Sequence, residues 1–472
     1  MTSAVAAVDL GATSGRVILG HVGHNELRLT PISRFPNGPV QAPDGLHWDV
    51  SGLYEHVLAG LAVAAAREPE LASVAVDSWG VDYGLIRDGR LVAEPFHYRD
   101  ERTANGVPLV EAAVSAAELY AVNGLQFLPF NTLYQLADDH NMGRLEHVES
   151  FLLVPDLLGF WLTGRRFAER TNASTTGLLS VTTGRWLDAL IEKLGLSRDL
   201  FPELVDAGSA IGQLLPRVAA RIGARLQVDA VGSHDTASAV AAIPATDPDF
   251  AYISCGTWSL VGVELEKPVL TEAGRLANFT NEGGVDGRVR YLHNVMGLWV
   301  LSESVRTWEA EGETIDLPAL LEQAAAVTEK VGIFDADDPR FLAPGDMPER
   351  IGGWFAEHGF AQPSSKAAFV RSILESLADA YHRTIEQAQE LTGKTISVIH
   401  LVGGGSLNAL LCQLTADRTG LPVVTGPVEA TAIGNVLIQA RTQGLVRGDL
   451  ETLRALVARS SRLARYAPRN TK

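Results

Sequence analysis

Along the chain, short runs of apolar residues alternate with stretches in which the apolar residues have helical spacing. The apolar runs at 5–8, 17–19, 74–76 and 396–402 predict buried strands. Apolar positions three and four residues apart predict helices, and these positions are Leu53, Val57, Leu58 and Leu61 in one segment and Phe369, Ile373, Leu374, Leu377 and Tyr381 in another. A Pro-Ser-Ser start signal precedes the second segment. Strands that alternate with helices are typical of the α/β class, which we therefore predict.

The first two apolar runs enclose a polar turn from Asp9 to Arg16, which reads Asp-Leu-Gly-Ala-Thr-Ser-Gly-Arg. Glycine in such a hairpin lets backbone N–H groups approach an anion, since it has no side chain and tolerates positive φ. Thr13 and Ser14 add hydroxyl donors, and Arg16 adds a fixed positive charge. Asp9 is placed to face a divalent cation. The pattern predicts a phosphate and Mg²⁺ site, and the alternative is an ordinary glycine hairpin with a surface arginine.

A second segment with this pattern lies roughly half a chain later. Residues 252–262 form a predicted strand, a glycine and hydroxyl turn around Gly256 and Thr257, and a second strand. Two such hairpins favour a duplicated architecture that closes on a nucleotide. A turn-rich stretch at 243–249 comes just before the second hairpin. We therefore predict an N-terminal lobe of residues 1–243 and a C-terminal lobe of residues 244–472.

Composition limits the partners of the protein. The 472 residues carry a formal net charge of −17 at pH 7, which argues against nucleic acid or an anionic membrane surface as the main partner. No apolar run approaches the roughly 18 residues of a membrane span, and the N-terminus does not resemble a signal peptide. The two cysteines, Cys255 and Cys412, exclude a disulfide framework. We expect a cytoplasmic protein that acts on small molecules.

The segment Ser-His-Asp-Thr-Ala-Ser at 233–238 is a candidate catalytic motif. It follows an apolar run at 226–231 and a glycine, and an alanine-rich helical stretch comes next. Asp235 is therefore expected at a helix N-terminus, where a carboxylate can orient an attacking hydroxyl and accept its proton. The alternative is that Ser233, Asp235 or Thr236 merely caps the helix.

The strand predicted at 396–402 runs into a glycine triplet, Gly403 to Gly405, and Asn408 follows. Ligands of open α/β sheets bind beyond the carboxyl ends of the strands. Glycines there let a flat base or a ribose approach the backbone, and the Asn408 side chain is able to donate to a base edge. The alternative is a loop that binds no ligand.

The order of these motifs, over nearly the whole chain, resembles that of the FGGY carbohydrate kinases. The Asp-Leu-Gly turn, the His-Asp-Thr-Ala segment, the Gly-Thr-Trp-Ser hairpin and the late glycine turn all occur in that family's order. Further motifs that carry the resemblance are Trp79 to Asp82, Tyr98 to Asp100 with Arg102 and Thr103, Gln126 to Gln135, Thr280 to Gly284, Asn294 to Trp299 and Gly426 to Ala430. The resemblance implies the two-lobed α/β fold of actin and hexokinase, which is ribonuclease H-like, with a cleft between the lobes.

The resemblance also implies roles for individual residues. The residues implied to contact ATP are Ala12, Thr13, Ser14, Gly15, Arg16, Gly256 and Thr257 at the phosphates and Gly403, Gly404 and Asn408 at the adenosine. The residues implied for the sugar site are Gly80, His234, Asp235 as proton acceptor, Thr236 and Asn294, although Asn294 could equally reach the nucleotide. Asp9 is implied to help hold Mg²⁺. Ser302 stands where the family usually has a Gln near ATP, which puts one nucleotide contact in doubt.

The activity implied by the resemblance is ATP-dependent phosphorylation of L-rhamnulose at O1, with Mg²⁺, by a monomer or homodimer. One alternative is a sister kinase for L-fuculose, L-xylulose or another ketose, since one methyl group is worth only about 1–3 kcal/mol of discrimination. A more distant alternative is a non-enzymatic sensor of sugar or nucleotide, or an actin-like ATPase without a sugar acceptor. The presence of Asp235 together with two phosphate hairpins argues against a degenerate sensor.

Overall fold

The computed structural model describes residues 3–23 and 26–469, which form two compact units. The first unit contains the chain up to Thr246 together with Glu264–Tyr291 and Ala430–Ser461. The second unit contains Asp247–Val263, Leu292–Glu429 and the chain from Arg462 onward. Two segments that come later in the chain, Glu264–Tyr291 and Ala430–Ser461, thus pack within the first unit.

The helices and strands of the described residues follow one another along the chain in mixed order. The strands are β1 (Ser3–Leu10), β2 (Ser14–Gly23), β3 (Glu26–Pro36), β4 (Pro39–Ala42), β5 (Gly45–Trp48), β6 (Ser73–Ser78), β7 (Tyr83–Arg87), β8 (Arg90–Leu91), β9 (Ser150–Leu153), β10 (Ala168–Glu169), β11 (Leu204–Val205), β12 (Ala210–Gln213), β13 (Gln227–Asp229), β14 (Phe250–Cys255), β15 (Ser259–Leu265), β16 (Thr280–Gly283), β17 (Val289–Val295), β18 (Val398–Val402), β19 (Val423–Thr425) and β20 (Ala464–Tyr466). The helices are α1 (Val50–Arg67), α2 (Thr103–Ala113), α3 (Ala116–Asn123), α4 (Thr132–Asn141), α5 (Val154–Thr163), α6 (Arg170–Ala173), α7 (Asp188–Lys193), α8 (Pro216–Ile222), α9 (Asp235–Ala241), α10 (Glu272–Leu276), α11 (Trp299–Ala310), α12 (Leu317–Ala326), α13 (Met347–Glu357), α14 (Lys366–Thr392), α15 (Ala409–Thr419), α16 (Ala430–Thr442) and α17 (Leu450–Ser460).

The first unit is built on a mixed sheet with the strand order β12-β13-β6-β1-β2-β3. β1 lies parallel to β6 and antiparallel to β2, so the predicted strands at 5–8, 17–19 and 74–76 are neighbours in one sheet. Helix α1 packs on β2, while α16 packs on β1 and on α9. The packing of α16 explains why residues 430–461 belong to this unit although they lie late in the sequence.

The second unit is built on a sheet in which β14 is antiparallel to β15 and parallel to β18. β18 continues parallel to β19, which pairs antiparallel with β20. The long helix α14 begins after an N-cap at Ser365 and ends at Gly393 in a left-handed conformation, so the predicted helix start is confirmed. Helix α14 packs on α15, which follows the glycine triplet.

The predicted α/β class is confirmed, but two predicted strands are shorter than expected. The run at 226–231 forms only β13, and the run at 396–402 begins to pair at Val398. Across residues 3–23 and 26–469, no helix has both the length and the apolar character needed to cross a membrane.

Candidate active site

The predicted hairpin at Asp9 to Arg16 is present at the end of β1. Asp9 lies opposite Arg16 in the β1–β2 register, and their side chains form an ion pair at 2.9 Å. The turn at residues 11–13 closes through a bond of 3.0 Å from the Gly11 N–H to the Ser14 carbonyl. The Asn37 side chain donates to the Gly11 carbonyl at 2.8 Å. The backbone of the turn is therefore fixed before any ligand arrives.

The glycines Gly11 and Gly15 of this hairpin do not adopt unusual backbone angles, and only Gly15 is required by packing. Neither Gly11 nor Gly15 has a positive φ, in contrast to the reason expected from the sequence. A Cβ at Gly15 would overlap the ring of Phe35, so this glycine is required by packing. A Cβ at Gly11 would lie 3.3 Å from the Ser14 carbonyl oxygen, which small shifts can accommodate. Gly11 is therefore the glycine whose replacement tests ligand approach.

Asp77 is a site residue that the sequence analysis missed. It lies on β6 directly beside Asp9, is fully buried, and accepts a hydrogen bond of 2.5 Å from the Asn435 amide. Burial and the charges of Asp9 and Asp235 raise its pKa well above the usual range, although the Asn435 bond opposes this shift. The available signal was an acidic residue at the carboxyl end of a predicted buried strand, where ligands of α/β sheets bind.

The capping alternative for the 233–238 segment is not realised. Helix α9 begins at Asp235, and its N-cap residue, His234, makes no side-chain capping bond. The Ser233 hydroxyl instead donates to Glu169 at 2.8 Å, and the Thr236 hydroxyl donates to the Asp235 carboxylate at 3.1 Å. The Asp235 side chain is 30% exposed, so a ligand can reach it. This geometry fits a carboxylate that receives a proton.

Gly80 lies in a strained loop. The next residue, Val81, has a φ of 68°, which is a costly conformation for a β-branched residue. The Val81 carbonyl accepts a bond from the Thr132 hydroxyl at 2.7 Å, and its N–H donates to the Thr175 hydroxyl at 3.2 Å. A Cβ at Gly80 would lie 2.9 Å from that Thr175 oxygen. The contacts with Thr132 and Thr175 thus hold the backbone at Gly80 in one conformation.

The Asp82 side chain stabilises the same loop through buried hydrogen bonds. Its fully buried carboxylate accepts bonds from the indole N–H groups of Trp48 at 2.6 Å and Trp79 at 3.1 Å, and from the Gln135 amide at 3.1 Å. Burial raises the pKa of Asp82 to about 6, although these donors lower it in part. The Trp-Gly-Val-Asp motif is therefore a rigid platform.

The second predicted hairpin joins β14 to β15 through residues 256–258. The Gly256 N–H donates to the Trp258 carbonyl at 2.8 Å, and the Thr257 carbonyl accepts from Trp299 at the start of α11. Gly297 has a φ of 62°, and a Cβ there would overlap the Trp258 backbone. The motif at 294–299 therefore closes on this turn.

The glycine triplet follows β18 as expected, and its three positions differ in how strongly they require glycine. Gly403 has a φ of 81°, and a Cβ at Gly405 would overlap the Cys255 sulfur. No atom lies within 4 Å of a Cβ built at Gly404. Asn408 caps α15 by accepting from the Leu411 N–H at 3.0 Å, so the donor proposed for a base edge is its amide nitrogen.

The two remaining predicted residues lie in the second unit. Asn294 is half-buried near the end of β17, and Ser302 is exposed in the first turns of α11. The predicted residues thus fall into two sets, one in each unit. The first set comprises Asp9, Ala12, Thr13, Ser14, Gly15, Arg16, Gly80, His234, Asp235 and Thr236. The second set comprises Gly256, Thr257, Asn294, Ser302, Gly403, Gly404 and Asn408.

The carboxylates of the first unit fit a hydrated Mg²⁺. In the part of the chain that the structure describes, no group of three or more His, Cys, Asp or Glu side chains is arranged to enclose a metal ion. Mg²⁺ keeps several waters and is usually held by one or two carboxylates and substrate phosphates. Asp9 and Asp77, side by side on β1 and β6, match that requirement.

The fold is that of the carbohydrate kinases. The chain matches a gluconate kinase from Lactobacillus acidophilus with a TM-score of 0.81 and 17% identity, over 99% of this chain and 94% of that one. It matches a Plasmodium falciparum glycerol kinase with a TM-score of 0.76 and 15% identity, over 99% and 94% of the two chains. These solved structures share the two-unit α/β architecture at low identity.

Family models then give the narrower assignment. Models of the N-terminal and C-terminal domains of the FGGY family of carbohydrate kinases match residues 5–242 and 251–442. The chain belongs to this family, as predicted. It is 41% identical to a rhamnulokinase from Bacteroides thetaiotaomicron, over 98% of this chain and 96% of the relative. It is 38% identical to a rhamnulokinase from Oceanobacillus iheyensis, over 98% and 97%.

Proposed function

We propose that this kinase transfers the γ-phosphoryl group of ATP to O1 of L-rhamnulose, which yields L-rhamnulose 1-phosphate and ADP in L-rhamnose catabolism. The observation that carries the proposal is the similarity to rhamnulokinases along nearly the whole chain at 38–41% identity. The platform around Gly80 and the partly exposed Asp235 carboxylate, both in the first unit, support a sugar acceptor, whereas a sensor would not need a general base.

In the proposed reaction, Asp235 acts as the general base. Its carboxylate takes the proton from O1–H while O1 forms a bond to the γ-phosphorus and the bond from that phosphorus to the ADP oxygen breaks. The Thr236 hydroxyl, 3.1 Å from Asp235, orients the carboxylate. Because the proton can move late in phosphoryl transfer, an ordinary carboxylate suffices for this role.

We propose that the hairpin of the first unit binds phosphate oxygens through its backbone and through Thr13 and Arg16, with Ala12, Ser14 and Gly15 forming the rest of the turn. Arg16 and Thr257 offset the negative charge of the transferring group. Asp9, with Asp77 beside it, would hold a hydrated Mg²⁺, which neutralises phosphate charge when bound.

The remaining proposed contacts divide between sugar and nucleotide. Gly80 and His234 contact the sugar, while Gly256, Gly403, Gly404, Asn408 and Ser302 surround the nucleotide. Asn294 has two proposed partners, the sugar or the nucleotide. Titration of Asn294→Ala with each ligand alone separates them, because only the affinity for the true partner falls. We further propose that the protein is cytoplasmic. We also propose that it is a monomer or a homodimer, and sedimentation of the purified protein tests this oligomeric state.

The first test is ADP release from Mg²⁺–ATP with L-rhamnulose, L-fuculose, L-xylulose, D-xylulose and glycerol as acceptors. We expect a clear preference for L-rhamnulose and almost no turnover without sugar. A preference for another ketose would retain the Asp235 mechanism and change the substrate. Sugar-independent turnover, or none at all, would contradict the proposal in favour of an ATPase or a sensor.

A further inference from the structure

Residues 169–176, which we call the bridging segment, join two loops of the first unit and have no part in the proposed reaction. The segment contains the end of β10, helix α6 and the turn that follows, and its residues are buried except for Arg170. One of the two loops carries Gly80, and the other carries His234 and Asp235. Because both loops hold residues proposed to contact the sugar, their spacing decides where the sugar lies relative to the base.

The bridging segment reaches the Gly80 loop through the Thr175 hydroxyl. This hydroxyl donates to the Asn172 carbonyl at 2.8 Å, and its oxygen accepts the Val81 N–H at 3.2 Å. Because a carbonyl only accepts and an amide N–H only donates, the direction of both bonds is fixed. Thr175 is buried, and its single hydroxyl hydrogen is already used within the segment. Thr175 therefore acts on the backbone of Val81 rather than on a ligand.

Val81 needs such support, because its backbone is strained. The Asp82 N–H donates to the Gly80 carbonyl at 2.9 Å, so Val81 is the central residue of a three-residue turn, and its φ is 68°. A turn of this kind is rare and persists only where neighbouring contacts fix it. The Thr132 hydroxyl holds the peptide group after Val81 through a bond of 2.7 Å to its carbonyl, and Thr175 holds the peptide group before it. Loss of the Thr175 contact leaves only one of these two bonds to oppose the strain.

The other end of the bridging segment holds the Asp235 loop through Glu169. The buried Glu169 carboxylate accepts the Ser233 N–H at 3.0 Å and the Ser233 hydroxyl at 2.8 Å. It also accepts the Thr171 N–H at 3.0 Å, in the first turn of α6. The two loops meet directly as well, since the Ser78 N–H donates to the Ser233 carbonyl at 2.9 Å. The bridging segment therefore adds a second connection, further along the loop that carries Gly80.

We propose that Thr175 is a positioning residue, which holds the Gly80 loop at a fixed spacing from Asp235 so that the bound sugar presents O1 to that carboxylate. The sugar contact rests on the proposed function, whereas the hold on Val81 depends only on the contacts described above. Without the Thr175 hydroxyl, the strained turn relaxes in most molecules. The sugar then binds only the fraction that keeps the turn, and its apparent affinity falls in proportion.

The test compares Thr175→Val with a matched control in the same segment. Valine keeps the shape of threonine and removes the hydroxyl. Thr176→Val is the control, because the Thr176 hydroxyl likewise donates to a carbonyl, that of Ala173 at 2.6 Å, and accepts an amide N–H, that of Leu178 at 3.1 Å. Both variants lose the same two kinds of hydrogen bond, and only Thr175→Val alters the loop of Gly80. Thr175→Ser keeps the hydroxyl and should behave as the wild type.

Amide hydrogen exchange of the whole protein, without ligands, tests the hold on Val81. Peptides that contain Val81 are expected to exchange about 10-fold faster in Thr175→Val than in the wild type, because a buried donor that loses its acceptor is destabilised by about that factor. Thr176→Val and Thr175→Ser should exchange there at the wild-type rate. Equal exchange in Thr175→Val and the wild type would overturn the proposal. A wild-type Val81 amide that exchanges as fast as in an unfolded chain would also overturn it, and this outcome does not depend on the folding of any variant.

Kinetics test the consequence for the sugar. We expect Thr175→Val to raise KM for L-rhamnulose by about 10-fold, with kcat and KM for ATP little changed, because saturating sugar restores the competent turn. Thr176→Val and Thr175→Ser should retain both KM values. Equal rises in the two KM values, or the same rise in Thr176→Val, would mean a merely structural role and contradict the proposal. Absence of turnover of every ketose by the wild type would refute the proposed function and leave the exchange result intact.

A second substitution tests strain as the cause. Glycine adopts a positive φ without steric cost, so Val81→Gly should make the Thr175 hydroxyl less necessary. Thr175→Val is therefore expected to raise KM for L-rhamnulose less in the Val81→Gly background than in the wild-type chain. An equal rise in both backgrounds would contradict the role of the strained turn.

Discussion

The hairpins of the two units share one backbone frame. In the first unit, β1 is antiparallel to β2 across the turn at 11–13 and parallel to β6 on its other side. In the second unit, β14 is antiparallel to β15 across the turn at 256–258 and parallel to β18. In each turn the first glycine donates its N–H to a nearby carbonyl of the turn. The same local geometry therefore serves both units.

Their chemistry differs at equivalent positions. The penultimate residue of the strand is Asp9 in β1 and Ser254 in β14. Asp9 is opposite Arg16 on one side and Asp77 on the other, whereas Ser254 is opposite Leu260 and Val402. Next to the turns, the charged pair Asp9 and Arg16 flanks only the one in the unit that carries Asp235. If both turns bind phosphate as proposed, the turn of the second unit does so with backbone and hydroxyl donors, whereas the charged groups lie in the unit that carries Asp235.

The largest expected effect is that of Asp235→Asn, which keeps the shape of the first unit and removes its proton acceptor. We expect kcat to fall by about 10²- to 10⁴-fold, since general-base catalysis contributes about that much. Affinities for ATP and sugar should change little in isothermal titration. Asp88→Asn, at an exposed turn with a φ of 50° that Asn tolerates, is the control. Near wild-type turnover of the Asp235 variant would remove the base assignment.

The substitutions Gly11→Val and Gly256→Val add the same side chain to each of the two turns. A Cβ would meet its nearest atom at 3.3 Å in the first and at 3.9 Å in the second, so both folds should survive. Because each side chain would block backbone approach to phosphate, we expect each to weaken ATP binding by about 100-fold, or about 2.7 kcal/mol. Gly38→Val is the control, since no atom lies within 4 Å of its added Cβ. Unchanged ATP affinity in one variant would show that its turn does not bind phosphate.

Asp77→Asn tests the energetic consequence of the charges in the first unit. Because the pKa of Asp77 is raised in the folded protein, folding takes up a proton above the unfolded pKa of about 4. Its contribution to the free energy of unfolding therefore falls as the pH rises through the window between the two pKa values. Since Asn can still accept from Asn435, we expect the variant to be more stable than the wild type at pH 8 and about equally stable at pH 4.

Urea unfolding with EDTA present measures this difference, and Asp88→Asn again serves as the control. A variant that is less stable than the wild type at pH 8 would contradict the prediction. With Mg²⁺ and ATP restored, the same variant is expected to bind the metal nucleotide more weakly. Stability and ligand binding should therefore move in opposite directions at Asp77.

The smallest expected effect concerns the neutral hairpin of the second unit. The Ser259 hydroxyl and the Tyr381 hydroxyl are 2.6 Å apart and buried beside Cys255. Ser259→Ala removes this hydrogen bond, so we expect a loss of about 1 kcal/mol in the free energy of unfolding. Because neither Ser nor Ala titrates, the loss should be equal at pH 6 and pH 8. If the loss of stability in Ser259→Ala depended strongly on pH, the view that the second hairpin, unlike the first, contains no group that titrates in this pH range near its turn would be contradicted.

Local patterns were sufficient for the elements that carry the site. Glycine and hydroxyl residues between apolar runs predicted both hairpins, and Ser365 predicted the start of α14. The packing of α16 on β1 could not be predicted, because periodicity identifies a helix without identifying the strand on which it packs. Asp77 was overlooked since its neighbour Asp9 lies far away in the sequence, and only the parallel pairing of β1 and β6 brings the two together.

The α/β class, the two glycine turns, the position of Asp235 at a helix start and the family could all be predicted from the amino-acid sequence. These features depend on residues close together in the chain, whose conformations are limited by backbone geometry and by the spacing of apolar positions. Only the tertiary structure decided that Asp77 lies beside Asp9 and that Thr175 reaches Val81 from a segment that also binds the loop of Asp235. Hydrogen bonds and charge interactions act over a few ångströms, and only folding sets which distant residues come within that range.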